Sequence, residues 1–305
     1  MLRLALISVL LFLIVHLPKG GPADIYAADP AATPAAIERM KQIWGLDQPL
    51  HVQYLRWIGN LTTGDWGQSY VERRPARDVV MGRLGNTLRL TAAAMIVGLV
   101  LGVGLGIVAG ISRSRVVQGV AQFLAVIGMS IPTFWSGALV LLFFSARLRW
   151  IPAGGMGTIG QELNLLDGLW HLAAPALVLG SVYVAQWARY VQASLSSIAD
   201  EDFIRTARAK GLPRTRALLR HGLSNVMLPL ITVLGLEVPR LVSGAMVTEV
   251  VFSWPGIGRL LNDSLLTRDY PVVLGALLIS SLVVIVANLL TDISYSLLDP
   301  RVRYG

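Results

Sequence analysis

Apolar residues in this chain come in long blocks, and charged residues gather in the short stretches between them. The first block, residues 2–17, carries Arg3 near its start and is short for the roughly 20 residues that cross a bilayer as a helix. It reads either as a retained first span or as a signal peptide with Ala27 and Ala28 as the small residues at the cleavage site. Residues 87–111 form the second span. Residues 116–148 form the third, interrupted by Pro132 within IPTFW, where a kink and a re-entrant break are both open. Residues 171–193 give the fourth and residues 225–252 the fifth. The sixth has its core at 271–290 and continues to Leu298. The pattern predicts an all-α integral membrane protein with six transmembrane helices.

The blocks divide the chain into residues 1–84, a first helix plus an external segment, residues 85–298, a core of five helices, and a tail at 299–305. Within the external segment, GLDQPLHVQYLRWIGNLTTGDWGQSY reads as a helix followed by a Gly/Asp/Thr-rich turn, and residues 77–90 as a second helix leading into the membrane. In the second span Gly98, Gly102, Gly106 and Gly110 recur every four residues, a small-residue strip that lets another helix come close. Gly102 and Gly104 do not make a dinucleotide fingerprint, which needs a strand before it and a helix after it.

Composition agrees with the blocks. Of 305 residues, 54% are hydrophobic and 14% charged, far more apolar than a soluble domain. The net charge of +8 gathers at block boundaries, so it reads as membrane topology and not as nucleic-acid binding. Residues 112–116, 192–224 and the tail are net positive, whereas 147–170 and 253–270 each hold two basic and two acidic residues. This places both termini in the cytoplasm. The chain has no cysteine, which excludes disulfides, thiolate metal sites and cysteine nucleophiles. His16, His51, His171 and His221 lack metal-ligand spacing, and there is no phosphate-binding G-x-x-x-x-G-K-[ST], so neither a metal nor a nucleotide cofactor is expected on this chain.

The most informative stretch is residues 199–229, between the fourth and fifth spans. Asp200, Glu201 and Asp202 open it; Arg205, Arg208, Lys210, Arg214, Arg216 and Arg220 follow. Acids first and bases last suit the dipole of a helix. Gly211 can end that helix in the left-handed conformation, and Pro213 suits the first position of another. Phe203, Ile204 and Ala207 form an apolar stripe that could dock on a partner. A positive loop that merely orients the chain is the competing reading. Glu237 and Arg240 share one face of the fifth span, and Glu249 lies nearer its outer end. They either line a solute path, pair internally or lie near enough to the boundary to snorkel. Asp292 reads as structural. Ser130 and His171 could be cast as an intramembrane serine–histidine pair, although Ser130 lacks the second glycine of a nucleophile elbow. A secondary transporter driven by an ion gradient is a further reading, but the chain shows no internal repeat.

The loop resembles the "EAA" loop of binding-protein-dependent ABC importer permeases. Arg205-Thr206-Ala207 stands as the triplet, Gly211 follows, and Leu228-Pro229 closes it. Arg205 in place of Glu, and the long gap to Leu228, match the dipeptide/oligopeptide/nickel branch, where R-T-A-R-A-K-G is usual. MSIPTFWSG, WIPAGG, SYSLLDPRVRYG and the run from TVLGLEVPRLVSG through SWPGIGRLLNDSLLTRDYPVV are similar to other parts of that branch. LIVHLPKGGPA resembles its first span and the loop after it, which favours a retained span. The branch usually has Gly-Asp-Pro where this chain has Lys19-Gly20-Gly21-Pro22, and more residues ahead of the span, so a late start is expected.

The resemblance implies a type I ABC importer permease fold in the bacterial plasma membrane. It implies a second homologous permease, two ATPase subunits holding ATP and Mg, and an extracytoplasmic solute-binding protein as partners. Phe203, Ile204, Arg205, Thr206, Ala207, Lys210 and Gly211, within a cytoplasmic loop of about 195–224, would then form the ATPase-docking site.

Overall fold

The computed structural model describes residues 2–17, 21–27, 33–158, 160 and 164–298. For 2–5, 24–26, 125, 129, 228–229, 231–236, 238–243, 292 and 294–298 it describes the backbone alone. The expected cytoplasmic tail and the Lys19-Gly20 stretch lie outside the described residues. The chain is helical, and the only strand-like pairing among the described residues is an isolated bridge between Gln68 and Pro75. It divides into two compact units, Met1–Asn86 with Pro255–Leu282, and Thr87–Trp254 with Val283–Gly305.

In the first unit α1 (Leu2–His16), α2 (Pro22–Ala27), α3 (Pro34–Trp44) and α4 (Leu50–Thr62) precede the long α5 (Ala76–Ile111). Thr33 caps α3, its hydroxyl accepting the Ala36 N–H at 3.3 Å, and Gly45 ends it at φ +68°. Phe12 and Val15 of α1 pack on Tyr270, Val273 and Leu274 of α13 (Tyr270–Leu298). A buried carboxylate ties residues 69–71 to the turn between α12 (Ile257–Leu266) and α13. Asp269 accepts the Ser69 hydroxyl at 2.5 Å and the N–H groups of Tyr70 and Val71 at 3.1 and 3.4 Å.

The second unit contains α6 (Arg115–Ser130), α7 (Thr133–Val140), α8 (Leu165–Ile198), α9 (Asp202–Ala209), α10 (Arg214–Ala217) and α11 (Leu223–Val251). The glycine strip of α5 does what its spacing predicts: it faces α8. A Cβ at Gly106 would lie 2.7 Å from the Ala188 carbonyl oxygen and 2.7 Å from Val191 Cβ, and one at Gly98 would lie 2.9 Å from the Trp187 ring. Gly180 of α8 answers from the other side, with 2.7 Å to the Ala94 carbonyl oxygen. Backbone cannot retreat as a side-chain tip can. Gly106→Val is therefore expected to cost about 3 kcal/mol, read as a lowered thermal midpoint of the detergent-solubilised chain.

Among the described residues three single helices are long and apolar enough to cross a membrane: Ala76–Ile111, Leu165–Ile198 and Tyr270–Thr291. A bent pair, Arg115–Gly128 and Thr133–Arg147, meets at 99°, the geometry of a broken span or of a re-entrant loop. Ile131 is extended and Pro132 cannot donate to the preceding turn, so IPTFW is a break and not a mild kink. The expected fifth span coincides with the 29 residues of α11, whereas α1, at 15 residues, is shorter than a perpendicular crossing. The helical stretch expected at residues 77–90 is the first part of the 36-residue α5 and runs on into its apolar part. No glycine in a left-handed conformation and no proline interrupts that stretch, so nothing ends the helix at the boundary.

Candidate functional site

The basic loop folds as a helix, a glycine joint and a second helix. Asp202 occupies the first turn of α9 and Arg208 the last. At the end of α9 the Leu212 N–H donates to the Ala207 carbonyl at 3.3 Å and the Gly211 N–H to the Arg208 carbonyl at 2.9 Å. With Gly211 at φ +88° this is a Schellman ending, and the contact of Leu212 with the cluster around Ala207 completes it. Pro213 sits at the N-cap of α10, one residue earlier than its expected place in the first turn. The second helix does not stop inside the loop. After Ala217 one π-helical turn, Leu218–Gly222, leads straight into α11.

The apolar stripe is not a free surface. Ile204 and Ala207 are buried with Ala199, Ala217 and Leu218, and Ile111 and Leu212 pack against them. The turn at Gly211 brings α10 back onto the inner two positions of the stripe. Only Phe203, at its edge, stays open, 41% exposed. Around it Arg205, Thr206, Arg208 and Lys210 are exposed. Arg205 approaches Asp202 at 3.8 Å, but both side chains are open to solvent and such a pair is worth little. Arg205, Arg208, Gly211 and Arg214 line an open groove of about 550 Å3. Arg214 also donates to the Ile111 carbonyl at 2.9 Å, placing a cation on the carbonyl end of α5.

The membrane carboxylates are internal. Glu249 is fully enclosed and accepts the Thr87 hydroxyl at 2.7 Å. This bond ties α5 to α11. Glu237, 5% exposed, accepts the Gln186 amide at 2.9 Å and so ties α8 to α11. The side chains of Arg240 and Asp292 lie outside the described residues, and with them the Glu237–Arg240 patch in each of its readings. Sequence reasoning missed Gln186, Thr87 and Asp269. Gln186 alone carries a local signal, an amide inside an apolar run. The serine–histidine pair does not form: Ser130 donates to the Val126 carbonyl at 2.8 Å, and His171 Nδ1 sits 2.9 Å from the Asp167 carbonyl.

The family is shown by sequence. Residues 102–304 match the model of the binding-protein-dependent transport system inner membrane component, and residues 1–91 match that family's N-terminal membrane component. The chain belongs to this family. It is a membrane permease of an ATP-driven ABC importer, and ATP hydrolysis is the work of partner ATPases, which replaces the secondary-transporter and hydrolase readings. As a multi-pass inner-membrane permease it works with ATPase and binding-protein partners.

The permease is 39% identical over 300 residues to the oligopeptide transport system permease protein AppB of Bacillus subtilis (strain 168), covering 98% of this chain and 94% of that one. It is 41% identical over 301 residues to the glutathione transport system permease protein GsiC of Escherichia coli (strain K12), covering 99% and 95%. Among solved structures, the MetNI methionine ABC transporter in an inward-facing conformation matches with a TM-score of 0.58 at 16% identity. That match covers 72% of this permease and 96% of that chain. An amino acid ABC transporter matches with a TM-score of 0.51 at 14% identity, covering 71% and 92%. These two likenesses support the permease fold.

Proposed function

We propose that this permease pairs with a second homologous permease to import short peptides or related solutes, among them glutathione-like peptides and nickel chelates. Two ATPase subunits bind ATP and Mg on the cytoplasmic side, where both termini of the permease lie, and a solute-binding protein delivers cargo outside. Relatives named for oligopeptide and glutathione transport support the cargo class. Loop 195–224 is the ATPase-docking site. ATP closure of the ATPase pair moves the docked loop, and the pore changes the side on which it opens. In physical terms a ligand bound elsewhere biases a membrane element with two stable arrangements.

One observation carries the docking reading: the outward face of α9 combines a single large apolar side chain, Phe203, with the exposed cations Arg205, Arg208 and Lys210. Such a face fits an apolar socket rimmed by carboxylates. Binding of the co-encoded ATPases to the purified permease is expected to weaken as salt is raised, because exposed charges are screened. Phe203→Ala is expected to weaken it by about 30-fold, the size of a buried aromatic anchor. Arg205→Glu with Arg208→Glu should weaken it further and flatten its salt dependence. Salt-independent binding that survives both variants would remove the loop from the interface.

A further inference from the structure

The first unit holds a cavity that the transport reading does not use. Its volume is about 140 Å3. The last turn of α1, the end of α3, one face of α4, the 65–70 turn and the start of α13 supply its wall. Rings dominate that wall: Phe12, Trp44, Trp57, Trp66, Tyr70 and Tyr270. Trp44 stacks on Tyr70 with centroids 4.1 Å apart. Trp and Tyr near a membrane boundary are ordinary interfacial anchors, but these enclose a space. Packing voids rarely exceed a water molecule. A cavity of about 150 Å3 accepts benzene. The pocket is partly open to solvent, and its aromatic interior has room for one ring-sized or isobutyl-sized group.

The wall is rich in uncommitted donors. The guanidinium of Arg56, the Tyr70 hydroxyl and the indole N–H groups of Trp44, Trp57 and Trp66 meet no hydrogen-bond acceptor among the described residues. Burial, then the charge of Asp269, then Tyr270, raise the Tyr70 pKa, so that hydroxyl stays a neutral donor. On the acceptor side, Asp65 already takes the Gly67 N–H at 2.9 Å. Arg56 stands at the exposed rim and lies across the bare backbone of Gly45. A Cβ there would sit 2.8 Å from Arg56 Nη1, and Gly45 holds φ +68°. An aromatic interior with one cation fixed at its rim complements a molecule that joins a small apolar group to a carboxylate.

We propose that this cavity binds a small apolar carboxylate, an apolar α-amino acid or the C-terminal residue of a short peptide, with its side chain among the rings and its carboxylate on Arg56. The site stands on the permease alone and does not depend on ATPase docking. Three tryptophans in the wall give it a direct signal. The full-length permease in phosphatidylethanolamine/phosphatidylglycerol nanodiscs would be titrated with N-acetyl-L-leucine, with neutral N-acetyl-L-leucinamide and with decanoate. Tryptophan fluorescence would be followed, and calorimetry would run in parallel. The acid is expected to bind saturably, the amide about tenfold more weakly or worse, and Arg56→Gln should weaken the acid by a similar factor while leaving the amide unchanged. Gly45→Val, which displaces Arg56, should act in the same direction. No saturable binding of the acid by either method would overturn the proposal. So would equal binding of acid and amide, or an Arg56→Gln variant that binds as the parent does. Decanoate binding tighter than N-acetyl-L-leucine would also overturn it and give the cavity to lipid.

Discussion

Gly211→Pro is expected to abolish uptake while the permease still reaches the membrane at its normal level. Gly211 holds φ +88°, and proline is fixed near −65°. Proline also lacks the N–H that bonds the Arg208 carbonyl at 2.9 Å. The joint would have to reopen, pulling Leu212 from Ala207 and loosening Ile204 from Ala217 and Leu218. No apolar span is touched, so insertion has no reason to fail. Gly211→Ala makes a graded control. Nothing lies within 4 Å of the added Cβ, so its cost is conformational alone, about 1 kcal/mol, and transport should fall only in part. The measurement is uptake normalised to permease level in the membrane, with ATPase co-purification alongside. Normal uptake by Gly211→Pro would sink the coupling role of this loop.

Asp269→Ala should free residues 69–71 from the turn before α13. Removing the carboxylate strands the Ser69 hydroxyl and the N–H groups of Tyr70 and Val71, all of which it now accepts. A stranded buried donor costs about 1–3 kcal/mol, and of the three the Ser69 hydroxyl is buried whereas Val71 is exposed. The longest of the three bonds, at 3.4 Å, is weak, so about 3 kcal/mol in total is expected. Asp269→Asn should fall between, because its oxygen can keep one donor while its amide meets the others as a competitor. Hydrogen exchange of peptides covering residues 69–76 reads the effect directly. Unchanged protection there in Asp269→Ala would mean that the segment is held by other contacts.

The sequence carried the local features well. The four-residue recurrence from Gly98 to Gly110 named the face of α5 that α8 approaches. Pro132 marked the break between α6 and α7, and Gly211 the joint in the loop. Each follows from the backbone freedom or size of one residue type. What stayed hidden depends on distant partners. Ile204 and Ala207 looked like a docking stripe because nothing local says that Ala217 and Leu218 will cover them. Glu249 gave no hint of its bond to Thr87, which lies 162 positions earlier. Asp269 drew no notice at all, since a single acid in a turn looks the same whether it is solvated or holds three donors from a segment 200 residues away.

The passage from the loop into α11 through Leu218–Gly222 bears on how such permeases can be recombined. Ile204 and Ala207 are packed on Ala217 and Leu218, residues of the same rod that carries Glu237 and Glu249. The loop is therefore not a detachable cassette. A chimaera that exchanged residues 202–212 alone would set foreign side chains against a native α10. One that exchanged 202–251 would carry α9, its seat and the whole fifth helix as a matched set, at the cost of new neighbours for Thr87 and Gln186. The natural unit of inheritance for partner choice is thus larger than the motif by which it is recognised.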